Sequence, residues 1–142
     1  MTGHDHREDS NGPVARYLTE RGVSPGVRNT GLRGIVAKWD AISLHAEHYD
    51  LTLDDWLNDL DLRDIIAGAI SVAPGHERQA VQSILARADD RFRDATVESP
   101  RPLVAGANRV AQWWYLRYPA QPGAGMRGDL IDAGFLARAD IP

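Results

Sequence analysis

The chain has 142 residues, no Cys and a formal net charge of −4, from 16 Lys and Arg against 20 Asp and Glu. Hydrophobic residues make up 43% of it and charged residues 25%, which are globular averages and argue against a disordered chain, a fibrous repeat or a disulfide scaffold. No apolar run approaches the roughly 18–20 residues of a membrane span, and the N-terminus lacks the apolar core of a secretory signal. We therefore expect a single cytoplasmic domain with no membrane segment.

The central part of the chain carries apolar residues at spacings of three and four, which places them on one face of a helix. This pattern predicts three main helices over about residues 31–48, 53–73 and 76–95. Because the connections between them are short, we expect a mainly α fold in which a small antiparallel bundle buries one core. The residues predicted for that core are Ile35, Val36, Trp39, Ile42, Trp56, Leu60, Ile66, Ile70, Ile84, Leu85 and Phe92.

Residues at the predicted helix boundaries have suitable capping chemistry. Thr30 is expected to cap the first main helix, and Thr52 with Asp55 has the spacing of a capping box at the start of the second. Pro13 suits the first turn of a short N-terminal helix, and Gly22 is its natural end.

The two ends of the chain differ from its helical centre. Residues 1–12 are polar with nothing to bury, so we expect a disordered tail there. The rest, residues 13–142, is expected to be one domain, with the helical bundle in residues 13–98. Residues 99–142 are aromatic and rich in Gly and Pro, and we expect them to wrap irregularly across the bundle.

Within that C-terminal segment the local patterns are less decisive. Periodicity leaves residues 112–118 open between a short strand and an aromatic helical turn. A short closing helix is expected over about residues 129–139, after a Gly-rich loop at residues 123–128. Near the other end of the domain, residues 24–26 (Ser-Pro-Gly) predict a turn.

One helix concentrates nearly all of the net negative charge. Residues 50–64 contain six Asp and one Arg, a net charge of −5, whereas residues 100–127 contain four Arg and no acid. Asp is a weak helix former away from the first turn, so this concentration has a reason beyond helix propensity. Arginine is the preferred basic residue throughout, since Lys38 is the only lysine, and this preference is typical of a GC-rich bacterial genome.

Four interpretations of the acidic helix are open at this point: a solvated face, a surface that binds a partner, carboxylates neutralised from within the chain, or a metal site. Asp59 and Arg63 have the i, i+4 spacing of an ion pair. The internal interpretation is a fold-back hypothesis, in which packing of Trp113 or Trp114 brings one C-terminal arginine onto one aspartate of the helix. The candidate pairs join Arg101, Arg109 or Arg117 to Asp55, Asp59 or Asp61.

The sequence shows no recognisable arrangement of a catalytic nucleophile, base and acid, which favours a binding function over an enzymatic one. We interpret the chain as a non-catalytic intracellular protein-binding module that presents its acidic helix to a basic protein, as an immunity protein, an antitoxin or a regulatory subunit does. Electrostatic steering gives the acidity a physical role. No cofactor is expected, and the oligomeric state is open. The residues predicted to bind the partner are Asp54, Asp55, Asn58, Asp59, Asp61 and Arg63.

The alternative function is a small metal-assisted hydrolase or ligand-binding helical protein. Oxygen ligands one turn apart on a helix can share a hard cation, and the candidates are Asp54, Asp55, Asn58 and Asp61. The segment DDWLND, residues 54–59, resembles over six residues the aspartate-rich segment with which all-helical isoprenoid synthases hold Mg²⁺. Those enzymes need a second metal-binding helix, which this sequence does not supply. A metal or ligand site requires the carboxylates to converge on a pocket, whereas a binding surface spreads them.

Three further patterns point to other functions and carry less weight. Residues 123–128 match GxGxxG but lack the strand–helix–strand context of a dinucleotide site. His45 and His48 are spaced i, i+3 rather than the i, i+4 of a zinc helix, so we interpret them as part of a polar face. The aromatic, arginine-containing C-terminal segment has the composition of a nucleic-acid binder, but the net negative charge and the single lysine argue against that partner.

Overall fold

The computed structural model describes residues 12–138, so the tail predicted to be disordered lies outside the described residues apart from Gly12. The described chain forms six α-helices, one 3₁₀ helix and two short strands. The helices are α1 (Pro13–Glu20), α2 (Pro25–Arg28), α3 (Gly31–His45), α4 (Leu53–Val72), α5 (Gly75–Asp94) and α6 (Ala124–Asp132). The strands are β1 (Thr96–Glu98) and β2 (Arg117–Pro119), and the 3₁₀ helix is Trp113–Leu116.

The mainly helical fold is confirmed, but its organisation is richer than the sequence predicts. The three long helices are α3, α4 and α5, and α3 packs against both of the others, while α1 packs on α4. The predicted elements leave out α2, and the closing helix expected over about residues 129–139 lies earlier in the chain, as α6. The C-terminal segment predicted to be irregular contains the 3₁₀ helix, β2 and α6.

Local chemistry explains where the long helices begin and end. The capping box of α4 is confirmed: the Asp55 amide donates to the Thr52 hydroxyl and the Thr52 amide donates to the Asp55 carboxylate, both at 3.2 Å. Thr30 occupies the N-cap position of α3 as predicted, but its side chain makes no capping hydrogen bond, because its hydroxyl donates to the carbonyl of Val27 at 2.6 Å. Gly22 has a φ of 73°, the left-handed conformation that commonly ends a helix, here α1.

Three local predictions in the flanking segments need correction. Pro25 opens α2 rather than a turn, because its fixed φ suits the first helical position. Helix α6 begins at Ala124, inside the Gly-rich segment that the sequence predicts as a loop, and ends at Asp132. Burial of Met126 and Leu130 there offsets the low helix propensity of glycine. Both alternatives for residues 112–118 occur, since the 3₁₀ helix runs directly into β2.

Aromatic rings form the centre of the core. Trp39 and Trp56 are fully buried, and the ring of Phe92 lies 4.6 Å and 5.4 Å from theirs, centroid to centroid. Aromatic pairs at such distances contribute about 0.5–1.5 kcal/mol beyond the burial of their area. The three rings join α3, α4 and α5.

The predicted core is buried at all but three positions. Ile42 and Ile70 are only partly buried. The prediction for Ile84 is wrong, because 37% of this residue is exposed and the neighbouring Leu85 takes the position that faces the core.

A buried ion pair links α4 to α5. Arg63 donates from Nε and from one Nη to the two carboxylate oxygens of Asp89, both at 2.9 Å, and Trp39 Nε1 donates to the same carboxylate at 2.9 Å. The guanidinium carbon of Arg63 lies 4.6 Å from the ring centroid of Trp114. The predicted pair between Asp59 and Arg63 is therefore wrong, because the arginine is directed into the interior, where a bidentate partner satisfies it.

The C-terminal segment packs on the helices. Strands β1 and β2 pair antiparallel, with Val97 opposite Tyr118. Trp114 and Leu116 are 2% exposed and Met126 is fully buried. The segment thereby covers the apolar side of the long helices, as its aromatic content predicts.

Candidate functional site

Five of the six residues predicted to bind a partner lie on the first turns of α4. We call the acidic surface the side chains of Asp54, Asp55, Asn58, Asp59 and Asp61. Asp54, Asn58 and Asp61 are exposed, whereas Asp55 and Asp59 are half-buried. The sixth residue, Arg63, is 8% exposed and bound to Asp89, so it is not part of this surface.

Neutral hydroxyl groups hold three of these carboxylates in place. The Tyr49 hydroxyl donates to Asp59 at 2.7 Å, and the Tyr115 hydroxyl donates to Asp61 at 2.6 Å. The Thr52 hydroxyl donates to the Asp55 carboxylate at 2.8 Å, in addition to the two hydrogen bonds of the capping box. A hydroxyl donor orients a carboxylate without cancelling its charge, so the negative charge stays at the surface in a fixed arrangement.

Burial changes the proton affinity of these pairs. Burial together with the hydrogen bond to Asp59 raises the pKa of Tyr49, and burial with the hydrogen bond to Asp61 raises the pKa of Tyr115. Both phenols therefore remain protonated donors at neutral pH. Burial also raises the pKa of Asp59, an effect that the Tyr49 hydrogen bond and the charge of Lys38 oppose.

Ion pairing among the described residues removes little of this charge. Asp64, one turn after Asp61, accepts a hydrogen bond from Gln112 at 2.9 Å and lies 3.4 Å from Arg21. As far as residues 12–138 are concerned, no other aspartate of α4 has a basic side chain within 4.0 Å. The acidic surface thus carries most of the charge that the sequence places on this helix.

Arg101, Arg109 and Arg117 have partners other than the acidic surface, so the ionic part of the fold-back hypothesis is wrong. Arg101 donates two hydrogen bonds, of 2.8 and 3.2 Å, to carbonyls at the C-terminal end of α6, and Arg117 donates to a carbonyl in the last turn of α5 at 3.2 Å. Arg109 lies 4.0 Å from Glu98. The last carbonyls of a helix lack partners within it and carry partial negative charge, so they compete with carboxylates for a nearby guanidinium group.

A half-open depression of about 440 Å³ lies in the loop that precedes the acidic surface. Leu44 and Leu51 line this α3–α4 depression, and they are 60% and 54% exposed. Glu47 and Asp50 add carboxylates to its lining. The other residues around it are His45, His48 and Tyr49.

The C-terminal segment fixes the loop that forms the depression. The Gln121 amide donates to the carbonyl of Glu47 at 2.9 Å, and the Gly123 amide donates to the carbonyl of Tyr49 at 2.8 Å. A Cβ added at Gly123 would lie 2.7 Å from the Cβ of Asp50, so only glycine fits there without displacing the loop. The loop is therefore held by its backbone rather than by burial of its leucines.

The metal-binding alternative gains no support from the part of the chain that the structure describes. Within it, no three His, Asp or Glu side chains are grouped so that they could hold a metal ion, and this includes the aspartates of α4.

No helix between residues 12 and 138 has the length and apolar character needed to cross a membrane.

Comparisons of the chain with models of protein families, with curated proteins and with solved structures find no match. The function therefore has to follow from the geometry and charge of the acidic surface and the α3–α4 depression.

The sequence does not reveal the tyrosine partners or the apolar part of the site. Periodicity places Tyr49 on the buried stripe of the first main helix, which gives no sign that its hydroxyl reaches α4. Leu44 lies two positions after Ile42, off that stripe, and this offset is the one available signal of its exposure. Leu51 directly precedes the N-cap of α4, where an apolar residue usually packs against the helix, yet it stays half exposed.

Proposed function

We propose that this protein is a non-catalytic protein-binding module that uses the acidic surface of α4 to bind a basic protein partner. The scaffold is the set of three long helices, which we interpret as an antiparallel bundle. One observation carries the proposal: hydroxyl donors orient three of the four carboxylates of the surface, while Arg101 and Arg117 bind backbone carbonyls elsewhere. Most of the charge is thus neither cancelled nor left on freely rotating side chains.

An arrangement of this kind assists binding in two ways. Clustered negative charge accelerates the encounter with a basic protein and penalises an acidic one. Side chains that are already oriented lose less entropy on association, where ordering costs about 0.5–1.5 kcal/mol for each mobile side chain. Repulsion between neighbouring carboxylates costs the free protein some stability, and a basic partner relieves it. An immunity protein, an antitoxin or a regulatory subunit would use such a surface.

Capture from a lysate of the native host tests the proposal with two matched variants. Asp54→Asn/Asp61→Asn removes two charges from the acidic surface, and the Asn oxygen at position 61 still accepts from Tyr115. The control, Asp90→Asn/Asp132→Asn, removes two charges from exposed positions on α5 and α6. Both variants have the same net charge, so they separate the effect of this surface from that of total charge.

The expected result is a basic protein that the immobilised wild type and the control retain and that the acidic-surface variant loses. Equal retention by the two variants excludes the acidic surface as the binding site. Equal loss from both shows that net charge alone is responsible, which also contradicts the proposal.

A further inference from the structure

We infer that the α3–α4 depression receives an apolar side chain of the basic partner, flanked by Lys or Arg. This inference rests on the proposed function and adds to it the point at which the partner is anchored. It depends on three features of the depression: two exposed leucines, a fixed backbone and a rim of carboxylates.

The leucines are the first feature. Single exposed apolar side chains are common on protein surfaces and need no explanation. Here Leu44 and Leu51, each more than half exposed, line the same depression from opposite ends of the loop. Leu44 is fixed by the last turn of α3, and Leu51 follows a loop segment whose carbonyls accept from the Gln121 and Gly123 amides. The apolar area therefore stays available to a partner.

The shape of the depression indicates what kind of group it takes. Its volume of about 440 Å³ is within the range of small-molecule sites, roughly 300–1,000 Å³, but such sites enclose about 70–90% of the ligand surface. This depression is only half enclosed and would leave more of a small ligand exposed than such sites do. A side chain that projects from a protein closes the opening with its own backbone and neighbours.

The charges around the depression define the neighbours of that side chain. Glu47 and Asp50 lie in its lining, and Asp54 and Asp55 follow on the first turn of α4. An apolar residue seated between the leucines places its sequence neighbours against these carboxylates. Lys or Arg is complementary there, whereas an acidic neighbour is repelled.

Two synthetic peptides test the inference without knowledge of the partner. They carry the same number of lysines, and one has leucines where the other has serines. We expect the leucine peptide to bind the full-length protein about fivefold more tightly or better, the gain from burying part of one leucine. In Leu44→Ser/Leu51→Ser this preference disappears, while affinity for the serine peptide is unchanged.

Two controls make the result specific to the depression. Val110→Ser removes an apolar side chain that is 83% exposed, adjoins Arg109 in sequence and does not line the depression, and it should leave the preference unchanged. The methyl NMR signals of Leu44 and Leu51 should shift on addition of the leucine peptide and not of the serine peptide. Both leucines are exposed, so the variant should melt at the wild-type temperature.

The outcomes separate this inference from the proposed function. Equal affinity of the wild type for the two peptides overturns the inference. A preference for the leucine peptide that persists in Leu44→Ser/Leu51→Ser overturns it as well. Either result leaves the acidic surface as a binding site. Failure of both peptides to bind the wild type at low salt overturns the proposed function together with the inference.

Discussion

Removing the charge of Asp89 should destabilise the protein more than most single substitutions. The carboxylate accepts two hydrogen bonds from Arg63 and one from Trp39, all at 2.9 Å. In Asp89→Asn one acceptor oxygen becomes an amide donor that faces a guanidinium donor, and Arg63 keeps its charge without a counterion. The substitution preserves volume, so its effect reports on hydrogen bonding and charge rather than on packing.

The magnitude follows from the burial of the pair. The Arg63 and Asp89 side chains are 10% and 13% exposed, so solvent screens their interaction very little. Breaking a buried pair from one side costs about 3–5 kcal/mol, a large part of the 5–15 kcal/mol typical of a whole domain. In Arg63→Met/Asp89→Leu both charges are gone and the indole of Trp39 is the one donor left unpaired, at a cost of about 1–3 kcal/mol. The double variant should therefore be more stable than Asp89→Asn.

Urea unfolding followed by far-ultraviolet circular dichroism measures these differences without relying on fluorescence of the nearby tryptophans. A loss below about 1 kcal/mol in Asp89→Asn would refute the idea of a buried, charge-dependent link between α4 and α5. So would a double variant that is less stable than the single one.

Three further predictions concern the C-terminal segment, a half-buried carboxylate and a helix cap. A chain truncated after Ser99 should bind an apolar dye and melt well below the full-length protein, because Trp114 and Met126 no longer cover the helices; an unchanged melting temperature would show that the segment is a separate arm. Burial raises the pKa of Asp59, so its ionised form is disfavoured in the folded state, and the resulting loss of stability develops as pH rises through the folded pKa. Asp59→Asn should thus be more stable than wild type at pH 7 and lose this advantage below about pH 4, and a wild type that is more stable at pH 7 would contradict the sign. Thr52→Ala should lower the free energy of unfolding by about 1 kcal/mol through loss of the capping box, whereas the control, Thr52→Ser, should keep most of that stability. Equal unfolding midpoints for the two variants would show that the cap contributes nothing.

The parts of the fold that the sequence predicts correctly are those fixed by local chemistry. Apolar spacing identifies the three long helices, and the capping box locates the start of α4 to the residue. The misplaced elements are α2 and α6, whose sequences contain Pro or Gly. Their helical conformation depends on packing with the rest of the chain, which a local pattern does not contain.

The candidate site could be predicted only in part, because its key contacts are between distant residues. The concentration of aspartates on α4 is visible in the sequence, and so is the contrast with the C-terminal arginines. The sequence does not show which partner each arginine binds, since a helix C-terminus and a carboxylate both attract a guanidinium group. Only the arrangement of the chain shows that Tyr115 reaches Asp61 while Arg117 reaches the end of α5.

The central claim is that a fixed, uncancelled acidic surface on α4 steers a basic protein into place. Stopped-flow association rates of the captured partner, measured from low to high salt, test it most directly, since screening shortens the Debye length from about 10 Å at 0.1 M to about 3 Å at 1 M. We predict that the wild-type rate falls steeply with salt, and that Asp54→Asn/Asp61→Asn is slower at low salt with a shallower slope, the two rates meeting at high salt. Rates that do not depend on salt would contradict the claim, as would identical slopes for the wild type and the variant.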